Sequence, residues 1–183
     1  LKRCTIRRNK VTGGEGVTAG GGGITAEGFG LEFHIVNCLI EGNRALGTNS
    51  KGGGLWIDTP NSIQDNVRIG VRLVNSKIVG NTAAQGAGVL VSFHPGKATT
   101  FEDCTIANNE ASTIGGGIRW GPAPSDATVV PVQNLIAWGN TPEQLSEQTA
   151  GMLDVDYSDV QGSWPGTLNI DSNPFFVRTP SKG

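Results

Sequence analysis

Apolar residues recur along the chain in a six-residue phrase. An aliphatic residue stands two positions after the start of the phrase, and an asparagine stands five positions after it in all but the last copy. The phrase begins at positions 4, 38, 76, 104, 135 and 158, so its period is about thirty residues. Runs this short, rich in β-branched residues, predict strands rather than helices. A further apolar residue stands three positions before each copy: Leu1, Ile35, Leu73, Phe101, Val132 and Val155.

A second phrase follows the asparagine in the first four periods, where glycines precede a strand-like run. The four runs are Ile24-Thr-Ala26, Leu55-Trp-Ile57, Val89-Leu-Val91 and Ile118-Arg-Trp120. Because glycine adopts positive φ and allows close backbone approach, the clumps predict one tight corner in each period. A single helical turn is predicted only at 141–144, where a threonine and a proline match helix N-terminal preferences.

Three short strands per thirty residues predict one coil of a solenoid, in which each coil covers the core of the next. We therefore predict a single all-β domain over residues 1–183, a parallel β-helix of about six coils. The coils are expected to start near residues 1, 35, 73, 101, 132 and 155, with 164–183 as a C-terminal extension or cap. Equivalent residues then stack about 4.8 Å apart in columns. The asparagines are predicted at a corner, with left-handed backbone and amides bonded from coil to coil.

Composition narrows the classes of partner. The 28 glycines come in clumps rather than at every third position, which excludes collagen. The net charge is −2, and no basic stripe is interleaved with aromatic residues, so no nucleic-acid partner is predicted. No apolar run approaches the ~18 residues of a membrane span, so no membrane-spanning segment is predicted.

The Cys-x-Ile-x-x-Asn and Gly-Gly-Gly-Ile phrases, with the run Asn169-Ile-Asp171-Ser-Asn-Pro174-Phe-Phe176-Val, resemble the bacterial right-handed β-helix repeat proteins, relatives of the pectate-lyase-like fold. The resemblance covers nearly the whole chain and, with the usual crossover rule, implies a right-handed helix. It also implies a secreted or cell-surface protein. Packing and turn residues specify a fold but no activity. The Gly-His-Gly signature of the pectin-hydrolysing relatives is missing, since His34 lies in Phe-His-Ile and His94 in Phe-His-Pro.

The first candidate site is an outward column of Thr25, Trp56, Leu90 and Arg119, placed there by strand alternation. An indole face beside a guanidinium can stack on a sugar ring and hold its hydroxyls or carboxylates. An insertion at 59–66 flanks the column, and insertions in solenoids tend to build the binding face. The alternative is that Trp56 is a packing contact under this insertion.

A second outward column contains His34 and Arg72, with Glu102 one pleat away. Lyases of the resembled fold use a basic residue to remove a proton next to a carboxylate, helped by a cation. Arg72 beside His34 matches that pattern. However, arginine is a poor base, and no acidic cluster on the neighbouring column could bind calcium. A solvated polar face is therefore the favoured interpretation.

Asp154, Asp156 and Asp159 form the carboxylate cluster of the sequence. Asp154 and Asp156 point to the same side of a strand, as in a calcium site or the paired acids of a glycosidase. Both uses need further oxygens or a defined partner distance, so a solvated strand face is again favoured. No cofactor is predicted, and calcium stays open as an alternative.

The three cysteines, Cys4, Cys38 and Cys104, are assigned to packing. Each opens a copy of the repeated phrase. Thiolates stacked in a column lie on a line rather than at the corners of a tetrahedron, so they do not suit zinc.

Three classes of function remain open. The leading hypothesis is a non-catalytic module, secreted or on the cell surface, that binds polysaccharide or cell-surface glycan through Trp56 and Arg119, or acts as a structural or adhesive element. The second is a polysaccharide lyase or glycoside hydrolase acting on acidic polysaccharide. The third is a subunit that self-associates through its coil ends into a stacked assembly or filament, because an uncapped coil exposes strand edges and core.

Overall fold

The computed structural model describes residues 1–13, 18–27, 32–58, 70–92, 99–121 and 129–177. The insertion at 59–66, His94 and the end of the predicted extension, 178–183, lie outside these residues. The described residues form twenty strands and no helix. Equivalent strands of successive coils pair in parallel to give four sheets, so the fold is a parallel β-helix of about six coils. A complete coil has four short strands, one more than predicted.

The four sheets follow one another around each coil. Sheet 1 consists of β4 (Glu32–Val36), β8 (Gly70–Val74), β12 (Thr100–Glu102), β16 (Val130–Gln133) and β19 (Leu153–Asp156). Sheet 2 consists of β1 (Thr5–Arg7), β5 (Leu39–Glu41), β9 (Lys77–Val79), β13 (Thr105–Ala107), β17 (Ile136–Trp138) and β20 (Asp159–Val160). Sheet 3 consists of β2 (Lys10–Thr12), β6 (Arg44–Leu46), β10 (Thr82–Gln85) and β14 (Glu110–Ile114). Sheet 4 consists of β3 (Ile24–Glu27), β7 (Leu55–Asp58), β11 (Val89–Ser92), β15 (Ile118–Trp120) and β18 (Leu145–Glu147).

The register of sheets 1 and 2 confirms the predicted apolar columns. In sheet 2 the aliphatic position of the phrase aligns from Ile6 to Val160. From the second coil on, each member of the two columns is at most 1% exposed. Together with the inward residues of sheet 4, they form the core. The sheet 1 column from the second coil on is Ile35, Leu73, Phe101, Val132 and Val155.

The strand that the sequence did not predict lies in sheet 3, directly after the asparagine of the phrase. Its inward side chains are small: Ala45, Ala83 and Ala111 pack with Ala87 and Val11 in a cluster apart from the main core. A column of alanines carries little of the apolar alternation by which strands are recognised, which is why the sequence pattern does not reveal this strand.

The predicted helical turn at 141–144 is wrong. The carbonyls of Glu143 and Gln144 accept hydrogen bonds from the amides of Gly117 and Ile118 in the preceding coil. These coil-to-coil bonds outweigh the local preference for a helix N-terminus, as tertiary context commonly does.

The asparagines of the phrase form a ladder of amides along the corner between sheets 2 and 3. The Oδ1 of Asn81 accepts from the backbone N–H of Asn43 at 2.8 Å and from its Nδ2 at 3.0 Å. The Nδ2 of Asn81 donates to the carbonyl of Ile40 at 3.1 Å and to Oδ1 of Asn109 at 2.9 Å. Both donors and both acceptor positions of this buried amide are therefore used.

The same bonding runs through the whole ladder and ends on Gln144, whose Oε1 accepts from the backbone N–H and Nδ2 of Asn140. This confirms the predicted bonding from coil to coil. The predicted left-handed backbone of these asparagines is wrong, because positive φ falls on the residue directly before each, such as Gly80 at 63°. The ladder consists of Asn9, Asn43, Asn81, Asn109 and Asn140.

Residues after the sixth coil add a partial rung to the stack. Leu168 has a positive φ of 53°, and the residue directly before the first position of the six-residue phrase also has a positive φ in each of the six coils. Asn169 follows at the place of that first position, and its Oδ1 accepts from the backbone N–H of Ser158 at 3.0 Å. Ile170 pairs in parallel with Asp159. The start of the predicted C-terminal extension therefore lies against the last coil.

Candidate functional site

The outward side chains of sheet 4 form the rows that alternation predicted. The column of Thr25, Trp56, Leu90 and Arg119 is in register and continues to Ser146. Thr25 is exposed, Trp56 and Arg119 are partly buried, and Leu90 is only 3% exposed although it points outward. The column therefore exists, but its members differ in their access to solvent.

Trp56 is held by its own chain. Its Nε1 donates to Oγ of Ser92 at 3.0 Å, in the following coil. A Cβ on Gly20, in the preceding coil, would collide with the six-membered ring of the indole, so the ring packs on that glycine. The ammonium of Lys51 lies 5.4 Å from the ring centroid, within the range of a cation–π interaction. These contacts cover part of the indole with neighbouring coils, whereas the insertion named in the packing alternative lies outside the described residues.

A pair of carboxyl groups lies beside Trp56 in the next outward row. Glu27 and Asp58 are register partners on neighbouring coils. Burial raises the pKa of Asp58, with Lys51 acting against this and Glu27 adding to it. Ser92 continues this row in the third coil.

Arg119 borders a cleft of about 230 Å³ on this face. Its Nη1 donates to Oγ of Ser146 at 3.0 Å, and its Nη2 to Oε1 of Gln148 at 3.4 Å. Both acceptors are neutral. The cleft is lined by Lys51, Gln85, Leu90, Ser92, Arg119, Gly121 and Gln148.

Two of the four predicted ligand-binding residues, Leu90 and Arg119, thus line the cleft, while Thr25 and Trp56 do not. Sequence reasoning missed Lys51 and Gln85, which precede the positive-φ glycines and read as loop positions. Their periodic place before a glycine clump was a signal that could have found them. It also missed Gln148, which follows a strand without any repeat signature.

His34 and Arg72 are register partners in sheet 1, as predicted, and both are exposed. The Nη2 of Arg72 lies 3.3 Å from Oε2 of Glu102, and Nε2 of His34 lies 3.7 Å from Oε2 of Glu32. The Arg72 guanidinium donates to this carboxylate, and arginine is in any case a poor base. The geometry is that of paired side chains on a solvated face.

The three aspartates are divided between two sheets. Asp154 and Asp156 lie on the same face of β19, as predicted, while Asp159 lies in β20 of sheet 2. A carboxylate oxygen of Asp156 accepts from the amide of Thr167, and one of Asp159 accepts from the amide of Ser172 at 3.0 Å. These two carboxylates tie the C-terminal segment to the last coil. Within the described ranges, no three His, Cys, Asp or Glu side chains are grouped so as to hold a metal ion.

The three cysteines are free thiols at the first position of the six-residue phrase, and Cys38 and Cys104 are buried. The Sγ of Cys104 donates to the carbonyl of Glu102 at 3.1 Å. Burial, above all other causes, raises the pKa of this thiol to about 11. Little thiolate forms near neutral pH, so this cysteine is a weak nucleophile and metal ligand.

Comparisons with protein-family models, with curated proteins and with solved structures each found no match to this chain. Among the described residues, no helix has the length and apolar character needed to span a membrane. The candidate site is accordingly defined by its geometry: a small open cleft with one guanidinium, one ammonium and several neutral hydrogen-bonding groups.

Proposed function

We propose that this protein is a non-catalytic module that binds carbohydrate outside the cell, on the outward face of sheet 4. The observation that carries the proposal is the state of Arg119. Its side chain is partly buried, and its bonds within the described residues go to the neutral oxygens of Ser146 and Gln148. A guanidinium has five N–H donors, so donors remain for the hydroxyls or carboxylate of a sugar.

The other residues of the cleft suit the same class of ligand. Gln85 and Gln148 offer amide donors and acceptors, and Ser92 offers a hydroxyl, matching sugar hydroxyls that also donate and accept. Leu90 lies in the floor of the cleft and contributes the small apolar part of its lining, since only 3% of its surface is exposed. Such a combination of apolar floor and a few convergent polar groups is typical of small-molecule sites.

Trp56 supports this site from its edge. Its indole N–H fixes the hydroxyl of Ser92, and its ring faces the ammonium of Lys51. Both partners line the cleft. In the proposal, Trp56 therefore acts by positioning Ser92 and Lys51, two residues that line the cleft.

The state of the thiols does not conflict with a location outside the cell, which the proposal takes from the family resemblance. Cys38 and Cys104 are 3% and 2% exposed, and burial raises the pKa of Cys104 to about 11. A buried thiol with little thiolate resists oxidation and exchange. Free cysteines of this kind are compatible with an oxidising compartment.

Binding to a glycan array, followed by calorimetry with the best ligand, tests the proposal. We expect Arg119→Gln to weaken binding by about tenfold or more, equivalent to ~1.4 kcal/mol, because it removes charge-assisted donors. Arg72→Gln on sheet 1 is the matched control and is expected to bind as the wild type does. Wild-type protein that binds no glycan, or equal binding by Arg119→Gln, would contradict the proposal.

The enzyme alternative has its own readout. A lyase acting on uronic-acid polymers creates an unsaturated, ultraviolet-absorbing product. Appearance of that product with the purified protein would show that the module is catalytic, contrary to the proposal.

A further inference from the structure

A second cavity lies on the outward face of sheet 3, to which the carbohydrate proposal assigns no role. It is an open groove of about 400 Å³, within the ~300–1,000 Å³ typical of small-molecule sites. Its lining comes from β6, β10 and β14, in the second, third and fourth coils, and from the turn after β6. It shares no lining residue with the cleft on sheet 4. The groove is therefore a separate site candidate on the side of the stack.

Small side chains of the third coil make room for the groove. Thr82 lies in register between Arg44 of the second coil and Glu110 of the fourth, both of which have longer side chains. Ala84, two residues after Thr82, also lines the groove and is only 2% exposed. Its backbone N–H donates to Oγ of the buried Ser50 at 2.8 Å, which fixes the floor. The third coil is thus a trough between two higher walls.

The two walls of the groove carry opposite charges. Arg44 and Glu110 are exposed and line the groove on either side of Thr82. Because neighbouring strands lie about 4.8 Å apart, their Cα atoms are separated by about 10 Å. Within the described residues the Arg44 guanidinium has no hydrogen bond or ion pair, and Lys10, its register partner in the first coil, adds positive charge on that side. Glu110 has a further interaction of its own, but a carboxylate offers about four acceptor positions.

A hydroxyl in the groove lacks a hydrogen bond. The Oγ1 of Thr82 is buried, and among the described residues it has no partner. Burying a hydroxyl without a bond costs free energy, and most buried polar side-chain atoms in proteins are therefore paired. A polar ligand atom that reaches Thr82 would supply the missing bond. The unpaired hydroxyl lies in the same row as the two opposite charges and between them.

We propose that this groove binds a small zwitterion of the amino acid class, with its carboxylate on Arg44 and its ammonium on Glu110. A guanidinium binds a carboxylate through two parallel N–H donors, and an ammonium donates to a carboxylate in a charge-assisted bond. A simple anion would be repelled by Glu110, and a simple cation by Arg44. A ligand with both charges satisfies both walls. The proposal goes beyond carbohydrate binding and does not depend on it, since Arg119 takes no part.

Calorimetry with a series of ω-amino acids tests the proposal, starting from glycine and adding one carbon at a time. The series varies the separation of the two charges, and we expect affinity to pass through a maximum where that separation matches the groove. The N-acetyl and the amide derivatives of the best ligand each lack one charge and are expected to bind at least about tenfold more weakly. If no member of the series binds, or if either derivative binds as well as the parent, the proposal is wrong.

Variants of the groove show whether binding occurs there. Arg44→Gln and Glu110→Gln each remove one charge and are expected to weaken binding of the best ligand by about tenfold or more. Thr82→Val keeps the shape of the side chain but removes the hydroxyl, so a smaller loss of about threefold is expected. Wild-type affinity in any of these three variants would overturn the proposal.

A matched control and two further measurements complete the experiment. Arg72→Gln removes an exposed guanidinium from sheet 1 and is expected to bind the zwitterion as the wild type does. Thermal melting of each variant checks that a loss of binding does not come from unfolding. Neutral methyl glycosides are expected not to displace the zwitterion. If they displace it and Arg44→Gln has no effect, the groove is a carbohydrate site and the proposal fails.

Discussion

Two sets of polar side chains in the same coils differ in how completely the fold satisfies them. In the ladder between sheets 2 and 3, each asparagine from Asn43 to Asn140 is at most 2% exposed, and its amide bonds to its neighbours in the column. On the outward face of sheet 4, by contrast, the column contains unlike residues, and Arg119 retains donors beyond its two bonds. A column of identical residues whose hydrogen-bonding groups are all paired stabilises the fold. A column of unlike residues retains unpaired hydrogen-bonding groups that a ligand can use.

The largest effect is expected in the ladder. Replacing Asn81 by alanine leaves the backbone N–H and the Nδ2 of Asn43 without their acceptor. Each buried donor left unsatisfied costs about 1–3 kcal/mol, so the free energy of unfolding should fall by about 3–5 kcal/mol. Urea unfolding followed by circular dichroism measures the loss.

Asn75→Gly is the control for the ladder variant, because Asn75 has a positive φ of 44° that glycine adopts without strain. Asn75 is exposed, and its Nδ2 bonds to Oδ1 of Asn37 at 2.8 Å at the other corner of sheet 2. Water replaces that bond, so the loss should stay within about 1 kcal/mol. Similar losses in both variants would mean that burial does not separate the two corners.

A smaller effect is expected where a glycine lets the ladder close. A Cβ on Gly88 would lie 2.5 Å from the carbonyl oxygen of Gly117 and 3.0 Å from Nδ2 of Asn109. Gly88→Ala should therefore lower the free energy of unfolding by about 1–3 kcal/mol, the usual range for overpacking. Gly47→Ala measures the separate cost of a positive φ, since Gly47 has a φ of 135° but no neighbour within 4 Å of an added Cβ. Gly88 has no positive φ, so a Gly88→Ala variant as stable as the wild type would contradict the crowding at this position.

The smallest effect is expected on the outward face, where it depends on pH. Because burial raises the pKa of Asp58, ionisation of this carboxyl opposes folding. Its unfavourable contribution is absent below the unfolded pKa of about 3.9, appears as pH rises through the folded pKa, and is complete above it. Asp58→Asn should thus be more stable than the wild type at pH 7 by ~0.3 kcal/mol, a small gain because solvent screens the site.

Melting temperatures of the two proteins at about pH 4 and pH 7 measure this difference. The advantage of Asp58→Asn should shrink at the lower pH, since a larger fraction of the wild-type carboxyl is then protonated. An advantage for the wild type that grows with pH would show that Lys51 outweighs burial at this position.

The interior of the coil was largely predictable, and the reasons are visible in particular residues. Apolar residues recur at the positions of Ile78 and Leu73 in every coil, because a stacked column admits only residues of matching shape. The sequence repeat therefore predicts which side chains pack together in the core. The strand through Ala83 was not predicted because alanine produces a weak apolar pattern. The helical turn at Pro142 was predicted from local preference, which bonds from Gly117 and Ile118 override.

For the outward face, the sequence predicted only which side chains point away from the core. Alternation correctly placed Trp56 and Arg119 in one column, yet it could not show that Gly20 and Ser92 occupy much of the indole while Arg119 borders a cleft. Lys51 reaches this site from a position before a corner glycine, and Gln148 from a position after a strand. The position of Lys51 does recur, in Gln85 of the next coil, but nothing in the sequence shows that these two side chains and Gln148 line one cleft.

The sequence by itself determined the period, the number of coils and the inward columns, because each coil must bury the same positions against the next. Only the tertiary structure decided which polar groups are saturated and which retain bonding capacity. That depends on which side chains from different coils come within hydrogen-bonding distance, as in the 3.0 Å bonds from Trp56 to Ser92 and from Arg119 to Ser146. The repeated residues therefore specify the β-helix, while the hydrogen-bonding groups available on its surface depend on the residues that differ from coil to coil.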